Sequence, residues 1–247
     1  MDTLFDFSGK VALVTGGSRG LGYQMVMALA QRGADMVIAS RKLDACQAVA
    51  SEVEGLGRRA LPLACHVGHW DEIDAMVETA YAHFGRIDIL INNAGLSPLA
   101  PSSHETSEAL FDKVVDINFK GPFRLAAQVA SRMAADGGGC IINISSTGAL
   151  RPPPNLAPYA GAKAALNAMT ESLAKEYGPA VRVNTLSPGP FLTDISKAWE
   201  PSARERFHNA AGRPGKPHEI LTAALFLASP MSSFTTGSLV RVDGGIA

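Results

Sequence analysis

Apolar residues follow two alternating patterns along the chain, and this alternation predicts the fold. Short, nearly continuous apolar runs are typical of strands covered on both faces. Seven such strands are predicted at Val11–Thr15, Asp35–Ser40, Ala60–His66, Ile87–Asn92, Cys140–Ser145, Val181–Leu186 and Ser238–Val242. Segments with helical periodicity separate them, at Leu21–Gln31, Asp44–Glu54, Asp71–His83, Ser107–Ala135, Tyr159–Tyr177 and Glu219–Ala228. Strand–helix alternation of this kind predicts an α/β fold with a doubly wound parallel sheet.

We interpret residues 1–247 as a single domain, because no polar linker or internal repeat divides them. Two segments interrupt the alternation. Leu96–Glu105 is rich in Ser and Pro, and Pro190–Pro217 is long for a connection between elements. Long connections are often lids or binding loops, so we expect a substrate lid at about 190–217, with a surface excursion without function as the alternative.

Composition narrows the classes of partner. The net charge is −1 and no basic block is present, so we expect neither nucleic acid nor a membrane surface as a partner. Cys46, Cys65 and Cys140 are far apart and form no CxxC pair, so neither a disulfide framework nor a metal site is predicted. With no secretory signal and no apolar stretch long enough for a membrane span, we expect a cytoplasmic protein with a small-molecule partner.

A glycine-rich turn follows the first predicted strand. Its sequence is Thr15-Gly16-Gly17-Ser18-Arg19-Gly20-Leu21-Gly22, and a helix begins within it. Glycines at a strand–helix turn allow the backbone to approach a pyrophosphate, which then lies at the positive end of the helix dipole. This turn therefore predicts a dinucleotide site.

The end of the second strand indicates which dinucleotide binds. An acidic residue there would bond the ribose 2′-hydroxyl of NAD, whereas an arginine accommodates the 2′-phosphate of NADP. The chain has Ser40-Arg41-Lys42 at this point and no carboxylate. Arg41 can bind a phosphate bidentately and Arg19 could flank it, so NADP(H) is favoured over NAD(H). The alternative is that Arg41 and Lys42 form only a solvated helix start.

Three residues near the fifth strand predict acid–base chemistry. Tyr159 and Lys163 are four residues apart at a helix start, which places them on one face. An ammonium beside a phenol lowers the tyrosine pKa from about 10, which brings it closer to the range in which a general acid–base acts near neutral pH. Ser146 lies at the C-terminal end of the fifth strand, directly after Ser145, where ligands bind in such sheets, and its hydroxyl can hold a substrate oxygen.

These motifs occur in an order that resembles the short-chain dehydrogenase/reductases over essentially the whole chain. The motifs that carry the resemblance are Thr15-Gly16-x3-Gly20-x-Gly22, Asn92-Asn93-Ala94-Gly95, Ser146, Tyr159-x3-Lys163 and Pro188-Gly189. The branch it resembles includes 3-oxoacyl-ACP reductases and gluconate 5-dehydrogenases. The resemblance implies a Rossmann fold and hydride transfer between a nicotinamide and a carbonyl or secondary alcohol, with a 3-oxoacyl thioester, a sugar acid or a small ketone as substrate.

The resemblance also implies roles for individual residues. Tyr159 gives or takes the proton, Ser146 orients the substrate oxygen with Ser145 as the second choice, and Lys163 lowers the Tyr159 pKa and bonds the nicotinamide ribose. Asn118 is similar to the asparagine that holds a water in a proton relay to Lys163, the alternative being a helix-interior asparagine with local bonds.

The implied binding residues form two sets. The cofactor set is Gly16, Ser18, Arg19, Gly20, Leu21, Gly22, Ser40, Arg41, His66, Val67, Asn92, Ala94, Gly95, Tyr159, Lys163, Pro188, Gly189 and Thr193. The substrate set is Ser97, Thr147, Asn155, Phe191, Leu192 and Trp199. His66 departs from the family, whose members usually carry an aspartate there that bonds the adenine amino group. Neutral His66 could accept that bond through one ring nitrogen, or the substitution could simply lower affinity.

Two further interpretations stay open at this point. A catalytically silent dinucleotide-binding sensor or scaffold is the alternative to an enzyme, although the complete Ser146, Tyr159 and Lys163 set argues against it. The resemblance also implies a homotetramer or homodimer that pairs through Ser107–Ala135 and Tyr159–Tyr177. Alternatively, the apolar faces of these helices only cover the sheet.

Overall fold

A computed structural model describes residues 3–194, 196 and 200–246 of the chain. Within these residues, parallel strands form a seven-stranded sheet in the order β3–β2–β1–β4–β5–β6–β7. The strands are β1 (Val11–Thr15), β2 (Asp35–Ser40), β3 (Ala60–Ala64), β4 (Ile89–Asn92), β5 (Gly139–Ile144), β6 (Val181–Pro188) and β7 (Leu239–Val242). The predicted doubly wound α/β fold is confirmed. Strand boundaries differ from the predicted ones by at most two residues, β3 ending at Ala64 and not at His66.

Helices cover both faces of the sheet. They are α1 (Gly20–Ala30), α2 (Leu43–Gly55), α3 (Trp70–Phe84), α4 (Glu108–Val115), α5 (Gly121–Ala135), α6 (Ala157–Glu176), α7 (Pro201–Glu205) and α8 (Leu221–Ala228). One core joins the sheet to α1, α2 and α8, and a second joins its other face to α3, α5 and α6. Adjacent residues of β1 show why the strands are apolar throughout: Val14 enters the first core and Leu13 the second.

The region predicted as one helix, Ser107–Ala135, contains a wider turn. A π-helical segment at Asp116–Lys120 separates α4 from α5, and the Gly121 N–H donates to the Asp116 carbonyl five residues back. Pro122 explains the change, because it has no N–H to give the Asn118 carbonyl in an α-helical pattern. The π turn projects Asn118 inwards, where it is completely buried.

The segment at 190–217 is anchored at both of its ends. Phe191 and Gly215 form a parallel bridge, and the Leu192 N–H donates to the Gly215 carbonyl at 2.8 Å. The short helix α7 lies within this segment and was not predicted. Trp199, a predicted substrate residue, lies outside the described part of the chain.

The described residues include neither a membrane-spanning helix nor a cluster of metal ligands. None of the helices there combines the length and apolarity that crossing a membrane requires. Nor do three or more His, Cys, Asp or Glu side chains in these ranges group so as to hold a metal ion.

Candidate active site

The glycine-rich turn joins β1 to α1 in a conformation that needs glycine. Gly16 has φ 64° and Gly20 has φ 57°, in the left-handed region that side chains disfavour. Arg19 is the N-cap of α1 and makes no side-chain capping bond. The first N–H groups of α1 are therefore not capped by this side chain, and they suit a pyrophosphate at the helix start.

Asn93 fastens this turn to the end of β4. Its Nδ2 donates to the carbonyls of Thr15 at 2.9 Å and Gly16 at 3.2 Å. Thr15 Oγ1 accepts the N–H groups of Asn93 at 3.0 Å and Ala94 at 3.1 Å. Sequence reasoning missed this role of Asn93, although a polar pair directly after an apolar strand was a visible signal.

Ser18 and Ser40 bring the glycine turn and the end of β2 together. The Ser18 hydroxyl donates to Ser40 Oγ at 3.0 Å. Arg41 is exposed beside them, and no carboxylate of the described ranges pairs with it. Arg19 is held elsewhere, since its guanidinium lies 3.6 Å from Asp194 in the segment at 190–217. Of the two arginines predicted at the 2′-phosphate, Arg41 directly follows Ser40 and lies at the end of β2, whereas the Arg19 guanidinium faces Asp194.

His66 follows β3 with its ring already hydrogen-bonded. The Gly68 N–H donates to His66 Nδ1 at 3.2 Å, and the ring stacks on His69 with centroids 4.3 Å apart. Burial lowers the pKa of His66, and His69 lowers it further. Val67 is buried, and its carbonyl lies so close to Gly121 that a Cβ there would approach it to 1.7 Å. The Val67 backbone thus packs tightly against Gly121, and the surroundings of His66 disfavour its protonated form.

Ser146 and Tyr159 lie side by side at the carboxyl end of β5. Ser146 caps the short turn Thr147–Ala149, with its Oγ accepting the Gly148 N–H at 3.0 Å. A Cβ added to Gly148 would lie 3.3 Å from Ser146 Oγ and 3.6 Å from Tyr159 Cε1. Ser145 points away, since it is 2% exposed and its hydroxyl donates to the Lys163 carbonyl. The geometry therefore favours Ser146 over Ser145.

The pKa of Tyr159 is raised above its ordinary value of 10, and not lowered as predicted. Burial of the phenol is the main cause, and a hydrogen bond with the Ser146 side chain opposes it. Lys163 directs its ammonium elsewhere, with Nζ donating to the Ile144 carbonyl at 2.8 Å. Burial lowers the pKa of Lys163 to about 8. The side chain therefore loses its proton in the alkaline pH range in which its charge would be needed to stabilise a phenolate.

Asn118 and Lys163 meet on either side of Gly95. A Cβ on Gly95 would lie 3.0 Å from Asn118 Oδ1 and 3.6 Å from Lys163 Nζ, so this position needs glycine. Asn118 Nδ2 donates to the carbonyls of Leu96 at 2.8 Å and Val114 at 2.9 Å. These bonds fix the Asn118 side chain, and the buried Asn118 and Lys163 side chains therefore meet at the Gly95 backbone.

A buried polar chain connects the sheet to the helix that carries Tyr159. Asn92 Nδ2 donates to Asn143 Oδ1 at 2.9 Å, and Asn143 Nδ2 donates to Thr170 Oγ1 at 2.9 Å. The Thr185 hydroxyl reaches the same Thr170 oxygen at 3.0 Å. Asn92, one of the implied cofactor residues, thus ties β4 to β5 through its side chain. Sequence reasoning missed Asn143, although an asparagine between isoleucines was a signal.

The nicotinamide side of the predicted site is formed by β6 and the start of the following segment. The Gly189 N–H donates to the Val242 carbonyl at 3.0 Å, and a Cβ there would lie 2.7 Å from Asp243 Cα. Pro188 ends β6, and Thr193 packs on the glycine turn, 3.7 Å from a Cβ built on Gly20.

The predicted substrate residues separate into different surroundings. Thr147 lies beside Ser146, and Ser97 is half-buried after Leu96. Asn155 is exposed, with a positive φ of 62°. Phe191 is 6% exposed and packs in the core with α1 and α8, so the structure gives it a packing role and not a place on a substrate wall.

Comparison with known proteins places this site in a family. Residues 10–204 match the family described as short chain dehydrogenase. The chain is 39% identical to dehydrogenase/reductase SDR family member 4 of Bos taurus over 241 residues, covering 96% of this chain and 86% of the relative. It is 35% identical to 3-oxoacyl-acyl-carrier-protein reductase of Thermotoga maritima over 241 residues, covering 96% and 98% of the two chains.

A solved structure supports the same assignment. A 7α-hydroxysteroid dehydrogenase complexed with NADH and 7-oxo glycochenodeoxycholic acid superimposes with a TM-score of 0.94 at 32% identity, covering 99% of this chain and 97% of the other. The chain therefore belongs to the short-chain dehydrogenase/reductase family and is an oxidoreductase of small-molecule carbonyl or alcohol groups that uses NAD(P)(H).

Proposed function

We propose that this enzyme is an NADP(H)-dependent oxidoreductase in which Tyr159 exchanges the proton with a carbonyl or secondary alcohol substrate. The observation that carries the proposal is the pairing of Ser146 with Tyr159 at the carboxyl end of β5, beside the spot shared by Lys163 and Asn118. A substrate oxygen placed between the two hydroxyls would receive a hydrogen bond from one and a proton from the other.

Each residue of the candidate site has its own role in hydride and proton transfer. A bound nicotinamide supplies or accepts the hydride at the substrate carbon. In reduction, Tyr159 donates its phenolic proton to the substrate oxygen while Ser146 holds that oxygen in place. The raised pKa of Tyr159 keeps this proton available at neutral pH. Lys163 and Asn118, which meet at Gly95, link the phenol to water.

Replacing Tyr159 by Phe tests this assignment. Removal of the phenol leaves the ring packing intact, so we expect kcat to fall by roughly 10³-fold while the dissociation constant for NADPH changes less than about twofold. Steady-state kinetics gives the first quantity and nicotinamide fluorescence the second. Tyr177→Phe, at the end of the same helix, is the matched control. Full activity in Tyr159→Phe would show that another group moves the proton.

The substrate range requires a panel: acetoacetyl-CoA, gluconate and simple ketones or their alcohols. Binding of NADPH with no turnover on this panel would favour the silent sensor or scaffold.

The preference for NADP(H) is supported by the end of β2. Ser18, Ser40 and Arg41 offer two hydroxyls and a guanidinium, without a carboxylate to repel a 2′-phosphate. We expect Arg41→Ala to weaken NADPH binding by about tenfold or more and to leave NADH binding nearly unchanged. Lys42→Ala is the control, because Lys42 is also exposed and belongs to the alternative of a solvated helix start. Equal effects of both variants, or a higher kcat/KM with NADH, would contradict the preference.

We also propose that the enzyme is a homotetramer or homodimer in a reducing, cytoplasmic setting. Phe111 of α4 is 49% exposed and Phe123 of α5 is 41% exposed, which leaves apolar surface on the predicted pairing helices. Cys46, Cys65 and Cys140 are free and buried, in accord with a reducing compartment. Light scattering of the purified protein measures the assembly directly.

A further inference from the structure

The hydrogen bonds of His66 determine which of its ring nitrogens carries the proton. A backbone N–H can only donate, and the Gly68 N–H lies 3.2 Å from His66 Nδ1, so Nδ1 must present a lone pair. A neutral imidazole has one protonated nitrogen, which here is Nε2. Burial and the neighbouring His69 favour this neutral form by lowering the pKa of His66. The ring therefore offers a hydrogen-bond donor at its free end.

The sheet order places His66 where the base of a dinucleotide would lie. In a doubly wound sheet the pyrophosphate sits at the β1 turn and the adenosine ribose at the end of β2. The next strand outward is β3, whose Ala64 is in register with Ser40. His66 follows two residues later, close enough to Arg41 for that charge to act on it. A base attached to a ribose at Ser40 and Arg41 thus extends towards His66.

The free end of the His66 ring is open to such a base. His69 stacks on one face of the His66 ring. The Glu72 carboxylate accepts the His66 backbone N–H at 2.7 Å, which fixes the backbone of this residue. Glu72 also bonds His69 Nδ1 at 2.7 Å. In the described ranges no protein group hydrogen-bonds to His66 Nε2, and the side chain is only half-buried.

We propose that His66 is a specificity-determining residue of the cofactor site, which donates its Nε2–H to a ring nitrogen of adenine and makes no bond to the 6-amino group. The inference rests on the proposed function, since it requires an adenine dinucleotide at this site. The in-plane ring nitrogens of adenine that are free to bond are acceptors, and its only donor is the exocyclic amine. A hydrogen-bond donor on the protein therefore recognises a ring nitrogen, whereas a carboxylate in the same place would accept a hydrogen bond from the amine.

The test removes the amine from the ligand and the donor from the protein. The ligand is the NADPH analogue with unsubstituted purine in place of adenine, and the proteins are wild type and His66→Asp. Dissociation constants come from nicotinamide fluorescence. For wild type we expect the analogue and NADPH to bind within about twofold of each other. For His66→Asp we expect the analogue to bind about tenfold more weakly than NADPH, the equivalent of one hydrogen bond.

Nitrogen NMR checks the premise without any ligand. Histidine selectively labelled with ¹⁵N gives signals from six residues, and the His66 signals are those lost in His66→Asn. We expect the shifts of a neutral ring protonated at Nε2. A ring protonated at Nδ1 would overturn the inference, and this measurement stands even if His66→Asp does not fold.

The outcomes separate the two proposals. The inference about His66 fails, and the proposed function is unaffected, in either of two cases. In the first, wild type binds the analogue tenfold more weakly than NADPH. In the second, wild type and His66→Asp give the same ratio of the dissociation constants for the analogue and NADPH. If wild type binds neither NADPH nor NADH, the proposed function fails, and the inference falls with it.

Discussion

Lys163 makes the folded enzyme less stable than its packing allows, and Lys163→Met should reveal the difference. The side chain is 3% exposed, and burial alone lowers its pKa from 10.5 to about 8. Methionine has a similar length and no charge, so it fills the same space without the cost of burying an ammonium. The variant loses the hydrogen bond to the Ile144 carbonyl, which offsets part of the gain by about 1 kcal/mol.

The magnitude and the pH range follow from linkage. A pKa lowered from 10.5 to about 8 corresponds to about 3 kcal/mol, each pKa unit being about 1.4 kcal/mol. Below pH 8 both the folded and unfolded chains hold the proton, so the folded state bears the whole penalty. Between pH 8 and 10.5 the folded lysine is neutral and the penalty is progressively lost. The stability advantage of Lys163→Met should thus shrink by roughly 2.5 kcal/mol between pH 7 and pH 10.

Urea unfolding of the cofactor-free protein at a series of pH values measures this difference. Other titrating groups, such as Cys65 and Tyr81, are common to both proteins and cancel when the free energies of unfolding are subtracted. Lys175→Met is the control, because Lys175 is exposed on the same helix. We expect Lys163→Met to be about 2 kcal/mol more stable than wild type at pH 7 and to lack activity. An advantage that does not vary with pH would refute the argument.

Two more predictions concern the same site. In the cofactor-free protein we expect Tyr159 to ionise above pH 10, because burial raises its pKa. The measurement is the tyrosinate absorbance that is present in wild type and lost in Tyr159→Phe. Ionisation below pH 9 would contradict this prediction. Gly95→Ala should lower kcat by about tenfold or more, because the new methyl would lie 3.0 Å from the fixed Asn118 side chain, while the control Gly161→Ala has no atom within 4 Å and should retain activity. Unchanged kinetics in Gly95→Ala would mean that the site tolerates the displacement.

The sheet was predictable because its strands are buried on both faces. Neighbouring apolar residues such as Leu13 and Val14 pack into opposite cores, so a strand appears in the sequence as an uninterrupted apolar run. The glycines at 16 and 20 mark the turn that follows this run. The π turn at Asp116–Lys120 was not predictable from periodicity, since its residues continue the apolar pattern of a helix. Only Gly121-Pro122 pointed to a change of hydrogen bonding there.

The sequence pattern brought the candidate residues near one another, but it did not predict their electrostatics. Spacing placed Tyr159 and Lys163 on one helix face, yet the direction in which the lysine points depends on the Ile144 carbonyl, which is remote in sequence. Burial is likewise a property of the assembled fold, and it reverses the predicted direction of the Tyr159 pKa. The nitrogen of His66 that bears the proton depends on the backbone of Gly68. Each of these outcomes follows from a contact that composition and periodicity do not encode.

Several exceptions to ordinary folding rules lie at the candidate site, while Tyr81 and Asn167 bury a side-chain oxygen without a hydrogen-bond partner elsewhere in the described ranges. Lys163 is a buried cation without a carboxylate among its hydrogen-bond partners, Ser187 at the end of β6 buries a hydroxyl with no partner in the described ranges, and Asn118 occupies a π turn. Other buried polar groups, such as Asn143 and Thr170, satisfy one another. A stable fold tolerates such costs only where something else requires them, which is why departures from local rules indicate functional positions. The carboxyl ends of β5 and β6 meet that description on energetic grounds, independently of the family resemblance.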